Sequence, residues 1–221
     1  MNKILITGGN GMVGTAFKSI LPDATYPTRK ELDLRKEGVV KAWLNNGNYD
    51  NGPRYDAVIH LAARVGGVNA NTKYVGDFFS ENLKINHNLL HSCMLSDIPK
   101  VVSLLSTCVY PDKVDYPLTE DQIHNGEPHH SNFGYAYAKR MLDIESRAYR
   151  QQYSCNYICA VPNNLYGEND NYDLENSHVI PALTRKIWEA KINNIPHIEV
   201  WGDGSPLREF TYSGDIVKIL L

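Results

Sequence analysis

The chain has 221 residues and a formal net charge of −3, so it lacks the excess of positive charge that nucleic-acid binding usually requires. It contains no apolar run long enough for a membrane-spanning helix, and its first apolar stretch, Ile4 to Ile6, is too short for a signal peptide. Its four cysteines are scattered, which predicts reduced thiols rather than disulfides or a metal site. We therefore expect a cytoplasmic protein.

Short apolar runs alternate with helical patterns along the chain. Residues 3–7 form the first run, and after a glycine-rich turn Val13, Ala16, Phe17 and Ile20 follow at helical spacing. Further runs occupy residues 57–62, 101–105 and 157–161, and helix-like stretches lie around residues 36–45, 78–95 and 135–152. Apolar strands separated by helices are typical of a parallel sheet covered on both faces. The sequence therefore predicts an α/β fold with a doubly wound, Rossmann-type parallel sheet.

The composition changes after Val161, where proline, glycine and asparagine crowd together before a helix-like segment near residues 179–191. We expect a Rossmann domain over residues 1–165 and a substrate-binding portion over residues 166–221. The last stretch, Ser213 to Leu221, reads as the start of an apolar helix without a cap at its far end. This suggests that the substrate-binding portion is truncated.

A glycine-rich turn joins the first predicted strand to the first predicted helix. Three glycines at three-residue intervals let the backbone turn sharply and approach a pyrophosphate, and the helix start supplies N–H donors. This pattern predicts a dinucleotide site rather than a purely structural turn. The residues assigned to it are Gly8, Gly9, Asn10, Gly11, Met12, Val13 and Gly14.

Charged residues near the second strand position bear on the choice of dinucleotide. Arg29 lies where a base would accommodate the 2′-phosphate of NADP, and no acid closely precedes it, which favours NADP over NAD. Asp33 would suit the amino group of adenine. A helix cap is a nearly equal interpretation of Asp33.

Tyr135 and Lys139 are four residues apart on a predicted helix, so they share one face. The lysine cation favours a lower tyrosine pKa, and burial opposes this. Such a phenol can protonate a carbonyl oxygen while hydride reaches the carbon, and Ser106 would be the second donor to that oxygen. The three residues predict reductase chemistry rather than an unrelated surface pair and strand-end serine.

These motifs together resemble the extended short-chain dehydrogenase/reductase superfamily. Within it, five strings are similar to the GDP-L-fucose synthase family: Ala63–Gly67, Ser106–Pro111, Asn164–Gly167, Asn176–Pro181 and Trp201–Phe210. The resemblance implies a GDP-sugar substrate, GDP-4-keto-6-deoxy-D-mannose, and its conversion with NADPH to GDP-L-fucose. It also implies a homodimer formed through a four-helix bundle by the helices near 78–95 and 135–152.

Inverting two carbons beside a ketone requires an acid and a base in addition to Tyr135. If Ser106 to Cys108 is still extended, the Ser106 hydroxyl and the Cys108 thiol point to one side. From the residues alone, we interpret Cys108 as an inert core thiol and His178 as a loop histidine. The resemblance implies instead that both carry out the epimerisations.

The same matching assigns further contacts. It implies substrate contacts for Lys186, Trp201 and Arg208. On the nicotinamide side it implies cofactor contacts for Lys139, Asn163, Asn164, Leu165 and His178. One departure is Asn10, where some relatives carry a basic residue, which leaves Arg29 as the only predicted base for the 2′-phosphate.

Two other functions stay open. An NAD-retaining nucleotide-sugar 4-epimerase would use the same glycine turn, tyrosine and lysine. A non-catalytic NADP-sensing module would need neither Tyr135 nor Lys139. A 4,6-dehydratase is disfavoured, because Thr107 and Cys108 stand where such enzymes generally carry an Asp-Glu pair.

Overall fold

The computed structural model describes residues 3–45, 55–175 and 177–221. Helices and strands alternate through most of the chain, as the periodicity predicts. In chain order they are β1 (Ile4–Thr7), α1 (Met12–Ile20), α2 (Glu37–Asn45), β2 (Ala57–His60), α3 (Val68–Lys73), α4 (Val75–Leu95), β3 (Lys100–Leu104), α5 (Phe133–Tyr153), β4 (Asn156–Ala160), β5 (Asn164–Tyr166), α6 (Val179–Ile192), β6 (Phe210–Tyr212) and α7 (Ser213–Leu220).

The main sheet has the order β1-β2-β3-β4, and all of its strands are parallel. Thr25 extends it on the other side of β1, where the Ile6 amide donates to the Thr25 carbonyl at 2.9 Å. The chain therefore passes from one side of β1 to the other before it enters β2. In open α/β sheets this reversal opens a crevice at the carboxyl ends of the strands, which is where ligands bind.

Both faces of the sheet are buried along β1, β2 and β3, whereas Ile158 on the edge strand β4 is 40% exposed. Alternate strand residues point to opposite faces, so Leu5 and Ile6 belong to two separate hydrophobic clusters. The first cluster includes Val58, Val101, Leu89 and Leu142, and the second includes Ile59, Val102, Phe17 and Val217. Helices therefore cover the sheet on both sides, which confirms the doubly wound α/β prediction.

The last part of the chain packs back against the main layer. Strand β5 pairs in parallel with β6, and Ile216 of α7 belongs to the same cluster as Phe17 of α1. The predicted boundary after residue 165 falls inside β5, and the division into two domains stays a prediction. No helix in the described residues is long and apolar enough to cross a membrane.

Candidate active site

A cleft with a volume of about 1100 Å³ opens at the carboxyl ends of β1, β2 and β3. It brings together residues that are far apart in the sequence, from the glycine turn to the start of α6. The predicted site residues that line it are Gly8, Gly9, Asn10, Gly11, Met12, Val13, Gly14, Arg29, Asp33, Ser106, Tyr135, Lys139, Asn163, Asn164, Leu165 and His178. Their individual roles stay predictions.

The glycine turn leaves no room for side chains at two positions. Gly8 has a φ of +75°, and a Cβ there would lie 2.8 Å from the Ala62 amide nitrogen. A Cβ on Gly14 would lie within 2.5 Å of the Gly9 backbone. The turn ends at Gly11, the N-cap of α1, so the first amides of α1 face the cleft. This cradle of free amides beside a helix start fits the pyrophosphate of a dinucleotide.

Asp33, at the end of the cleft that the adenosine would occupy, is paired with Arg35. Its carboxylate accepts two hydrogen bonds from Arg35, from Nε at 2.9 Å and from Nη2 at 2.7 Å. Arg35 also lines the cleft and lies 3.6 Å from Glu81 of α4. The Arg35 guanidinium lowers the pKa of Asp33 to about 2. Arg35 was missed in the sequence because only the fold shows that its side chain turns back to Asp33.

A further cation lies at the Asn10 position. The ammonium of Lys18, which lies in the last turn of α1, donates to the Asn10 side-chain oxygen at 3.0 Å. It also lies 5.5 Å from the centre of the Tyr26 ring, close to the segment that leads to Arg29. The structure therefore places a base next to Asn10, although Lys18 is not among the residues that line the cleft.

The predicted reducing pair lies on α5. Lys139 is 2% exposed, and its ammonium donates to the Leu104 carbonyl at 2.7 Å and lies 5.9 Å from the centre of the Tyr135 ring. Burial lowers the pKa of Lys139 to about 8.

Of the two opposing effects expected at Tyr135, burial determines the direction of the pKa shift. Burial raises the pKa of Tyr135 well above its ordinary value. Desolvation disfavours the charged phenolate, so Tyr135 is a protonated phenol that can donate a proton.

Ser106 and Cys108 follow β3, but the backbone between them is not the extended strand on which the prediction depended. Thr107 to Val109 form a 3-10 turn with Ser106 as its N-cap, so the alternation of strand side chains does not apply. The thiol nevertheless stays beside Ser106, whose hydroxyl hydrogen-bonds to it. Burial raises the pKa of Cys108, and this hydrogen bond and the nearby Lys139 charge oppose the rise. Cys108 is half-buried next to Ser106 but is not among the residues that line the cleft.

His178 is the N-cap residue of α6, and it is exposed at the cleft. Two side-chain oxygens in this part of the cleft are buried and have no hydrogen-bond partner in the described part of the chain, Oδ1 of Asn163 and Oδ2 of Asp170. Buried acceptors normally have a hydrogen-bond donor, so these two oxygens are available to one. Asp170 carries no signal in the sequence that distinguishes it from the surrounding loop.

The three predicted substrate contacts lie outside the cleft. The Lys186 ammonium lies 4.9 Å from the centre of the Trp201 ring and donates to the Glu199 carbonyl at 2.9 Å. Trp201 is 71% exposed, and Arg208 is exposed on the same irregular segment. Lys186 and Trp201 are thus brought together, while Arg208 contacts neither of them among the contacts described.

A buried polar chain supports the floor of the cleft. Asn86 donates its amide to the Ala138 carbonyl at 3.1 Å, so its oxygen faces Nε2 of His60, also at 3.1 Å. On the other side Nδ1 of His60 lies 2.9 Å from the Thr7 hydroxyl. Burial lowers the pKa of His60 to about 3, so the ring is neutral. His60 and Asn86 therefore link β1 to the residue of α5 that directly precedes Lys139.

None of the residues in the described ranges form a group of three or more His, Cys, Asp or Glu side chains that could hold a metal ion. All four cysteines are free thiols.

Comparisons with known proteins agree with this geometry. The sequence model of the NAD dependent epimerase/dehydratase family matches residues 4–221. GDP-L-fucose synthase of Dictyostelium discoideum is 44% identical over 97% of this chain and 67% of its own length. Probable GDP-L-fucose synthase of Drosophila melanogaster is 38% identical over 100% of this chain and 71% of its own length.

A solved structure is also similar. It is a GDP-L-fucose synthetase from Naegleria fowleri bound to NADP, 39% identical, with a TM-score of 0.86. The match covers 99% of this chain and 71% of that one. The chain thus spans roughly two thirds of the length of these relatives.

Proposed function

Because this chain belongs to the NAD dependent epimerase/dehydratase family, we propose that it converts GDP-4-keto-6-deoxy-D-mannose to GDP-L-fucose with NADPH. The observation that carries the proposal is the convergence of Ser106, Tyr135, Lys139 and His178 on one cleft that also holds the glycine cradle. The similar proteins from Dictyostelium and Drosophila are named for this activity, and the Naegleria structure is described as bound to NADP.

The reduction depends on two donors at the ketone oxygen. Ser106 and the protonated Tyr135 both line the cleft, so both can hydrogen-bond to one carbonyl oxygen. NADPH, when bound, supplies the hydride. Tyr135 then gives its proton to the oxygen, and the charge of Lys139, held in place by the Leu104 carbonyl, favours the resulting phenolate.

The epimerisations require proton exchange at the carbons on both sides of the same ketone. The ketone acidifies these C–H bonds, and the Ser106 and Tyr135 donors stabilise the enolate oxygen that forms. The Cys108 thiol and the His178 imidazole are the groups that take up and return protons. His178 lines the cleft at the start of α6, and Cys108 lies two residues after Ser106, which also lines the cleft.

The nucleotide part of the substrate extends beyond the catalytic groups. We assign Lys186, Trp201 and Arg208 to it, because a cation and an exposed indole 4.9 Å apart suit a diphosphate and a base.

Turnover by the protein tests the proposal directly. Protein, NADPH and GDP-4-keto-6-deoxy-D-mannose should give loss of nicotinamide absorbance and a product that co-elutes with GDP-L-fucose. The Tyr135→Phe variant removes only the phenolic hydroxyl, so it should bind NADPH normally and lose at least about 100-fold in turnover. Absence of turnover by the wild-type protein would contradict the proposal.

Two specific outcomes would support the alternatives. NAD that co-purifies tightly, with interconversion of 4-epimeric sugar nucleotides, would identify a 4-epimerase. NADP binding with a change in partner binding that is the same in Tyr135→Phe would identify a sensing module.

We further propose that the protein works as a cytoplasmic homodimer. The four free thiols agree with a reducing compartment. Helices α4 and α5 pack side by side and keep Phe79 and Ile144 partly exposed, at 39% and 42%. Two such pairs could form a four-helix bundle, and a single monomer mass by light scattering would contradict it.

A further inference from the structure

Arg140 is a buried cation that the proposed chemistry leaves without a role. It follows Lys139 on α5 and is only 4% exposed. Its Nε donates to the Val109 carbonyl and its Nη1 donates to the Gly126 carbonyl, both at 2.7 Å. Its Nη2 is buried without a hydrogen-bond partner among the described residues. No carboxylate in the described ranges forms an ion pair with it.

Burying a guanidinium in this position lowers the stability of the fold. The charge loses its hydration, and no anion replaces the lost interactions with water. Two carbonyl oxygens and the ring of Tyr137, whose centre lies 5.4 Å from the guanidinium carbon, compensate only part of this loss. A group that becomes negative beside it would therefore be stabilised. Cys108 directly precedes Val109, whose carbonyl accepts the Arg140 hydrogen bond at 2.7 Å, so the thiol belongs to the turn that the guanidinium holds.

The surroundings of the thiol contain cations and neutral donors. From α5 it faces Lys139, Arg140 and the protonated phenol of Tyr135, and from its own turn it faces Ser106. Among the described groups that influence the thiol, none is a carboxylate. A negative charge on the sulfur would thus meet two buried cations.

We propose that Arg140 is a positioning residue for Cys108, which fixes the 107–109 turn against α5 and acts as the counter-ion of the thiolate during proton removal. The inference rests on the proposed function. The thiol first loses its proton to water, and the thiolate then takes a proton from a carbon beside the ketone. The C–H bond breaks, the S–H bond forms, and the electron pair moves to the ketone oxygen, which Ser106 and Tyr135 hold.

The reactivity of Cys108 tests this without any sugar nucleotide. Iodoacetamide alkylates thiolates, so its rate at Cys108, followed by peptide mass spectrometry across pH, reports the thiolate fraction. Arg140→Met keeps a stem of similar length and removes the charge. Arg140→Met should move the midpoint of the pH dependence of Cys108 alkylation to higher pH. It should also slow alkylation at neutral pH by roughly tenfold.

Matched variants separate charge from position. Arg140→Lys keeps the cation and should retain a midpoint near that of the wild-type protein. Arg140→Gln keeps a donor for the Val109 carbonyl without the charge, so it should shift the midpoint as Arg140→Met does. Arg140→Gln also replaces Arg140→Met as the test if that variant does not fold. Arg147→Met removes a half-exposed arginine of the same helix, paired with Asp143, and should leave the profile unchanged.

The results that would overturn the inference are equally definite. A profile of Arg140→Gln that superimposes on that of the wild-type protein excludes the counter-ion role. A change in the high-pH plateau without a shifted midpoint shows that Arg140 only holds the turn in place, which overturns its role as the counter-ion of the thiolate.

A second measurement addresses catalysis. With NADP in place of NADPH, no reduction can occur, and solvent deuterium incorporation into the 4-keto sugar reports proton exchange alone. Arg140→Met should slow this exchange by roughly tenfold while NADPH binding stays normal. If the alkylation midpoint shifts but the wild-type protein neither exchanges nor reduces this sugar, the proposed function fails and the assignment of Arg140 to the thiol stands.

Discussion

Lys139 donates a hydrogen bond to the carbonyl oxygen of Leu104 at 2.7 Å, which joins helix α5 to the last residue of strand β3 at the floor of the cleft. This contact orients the ammonium group beneath Tyr135. It also keeps a lysine almost completely out of water, at 2% exposure. The proposed chemistry thus requires a buried ammonium group at Lys139, and this burial reduces the stability of the folded protein.

The Lys139→Met variant should therefore be more stable and inactive. An unfolded lysine titrates near pH 10.4, whereas burial lowers the pKa of Lys139 to about 8 in the folded protein. The unfolded state binds more protons between these values, so wild-type stability should rise with pH through this window. At pH 7 the variant should gain about 2 kcal/mol, after about 1 kcal/mol is lost with the Leu104 hydrogen bond.

Urea unfolding from pH 7 to pH 10.5 measures this gain, which should shrink as the pH rises. Hydride transfer should fall by roughly 100-fold. Lys84→Met, on the exposed side of α4, is the control and should change neither quantity. A stability difference that stays constant over this pH range would refute the explanation.

Gly14→Ala should disrupt the turn, whereas Gly11→Ala should not. A Cβ at position 14 would lie within 2.5 Å of the Gly9 backbone, which cannot move without displacing the cradle. At position 11 the nearest atom would be 3.4 Å away, an ordinary contact. We expect Gly14→Ala to lose about 2 kcal/mol or more of unfolding free energy, and Gly11→Ala less than about 1 kcal/mol. Equal thermal midpoints for the two variants would contradict this account.

Lys18 and Arg29 should select NADPH over NADH. Both bring positive charge to the Asn10 end of the cleft, Lys18 through its bond to Asn10 and Arg29 as a lining residue. Lys18→Met and Arg29→Met should each weaken NADPH binding by about tenfold and leave NADH binding unchanged, because only NADPH carries the 2′-phosphate. Fluorescence titration at two salt concentrations measures this, with Lys41→Met of α2 as the control. Equal losses for both nucleotides would show that the two cations lie elsewhere on the ligand.

Unlike the Lys18 and Arg29 variants, Arg35→Leu should weaken the binding of NADPH and NADH alike. Arg35 holds both oxygens of Asp33, and without it the pKa of Asp33 rises from about 2 towards its ordinary value. If Asp33 accepts from the adenine amino group, the variant should bind NADPH and NADH less tightly by a similar factor of about 5 to 10. It should also discriminate less against the hypoxanthine analogue of NADPH, whose 6-oxo group cannot donate. Unchanged discrimination would support the interpretation of Asp33 as a structural residue.

The amino-acid sequence by itself determined the fold class and the approximate position of most of the site. The apolar runs at Ile4–Thr7 and Lys100–Leu104 are strands because their neighbours cover both faces, and that requirement is visible as unbroken hydrophobicity. The spacing of the glycines and that of Tyr135 and Lys139 can be read directly from the sequence, because each involves residues that are close together in the chain.

Only the tertiary structure decided how these groups are charged and which distant residues support them. The 3-10 turn at Cys108 and the burial that raises the pKa of Tyr135 depend on contacts or solvent exclusion. The same holds for the hydrogen bonds that Lys18, Arg35 and Arg140 donate to Asn10, Asp33 and Val109. Desolvation and hydrogen bonding are properties of a folded environment, whereas periodicity and spacing are properties of the chain.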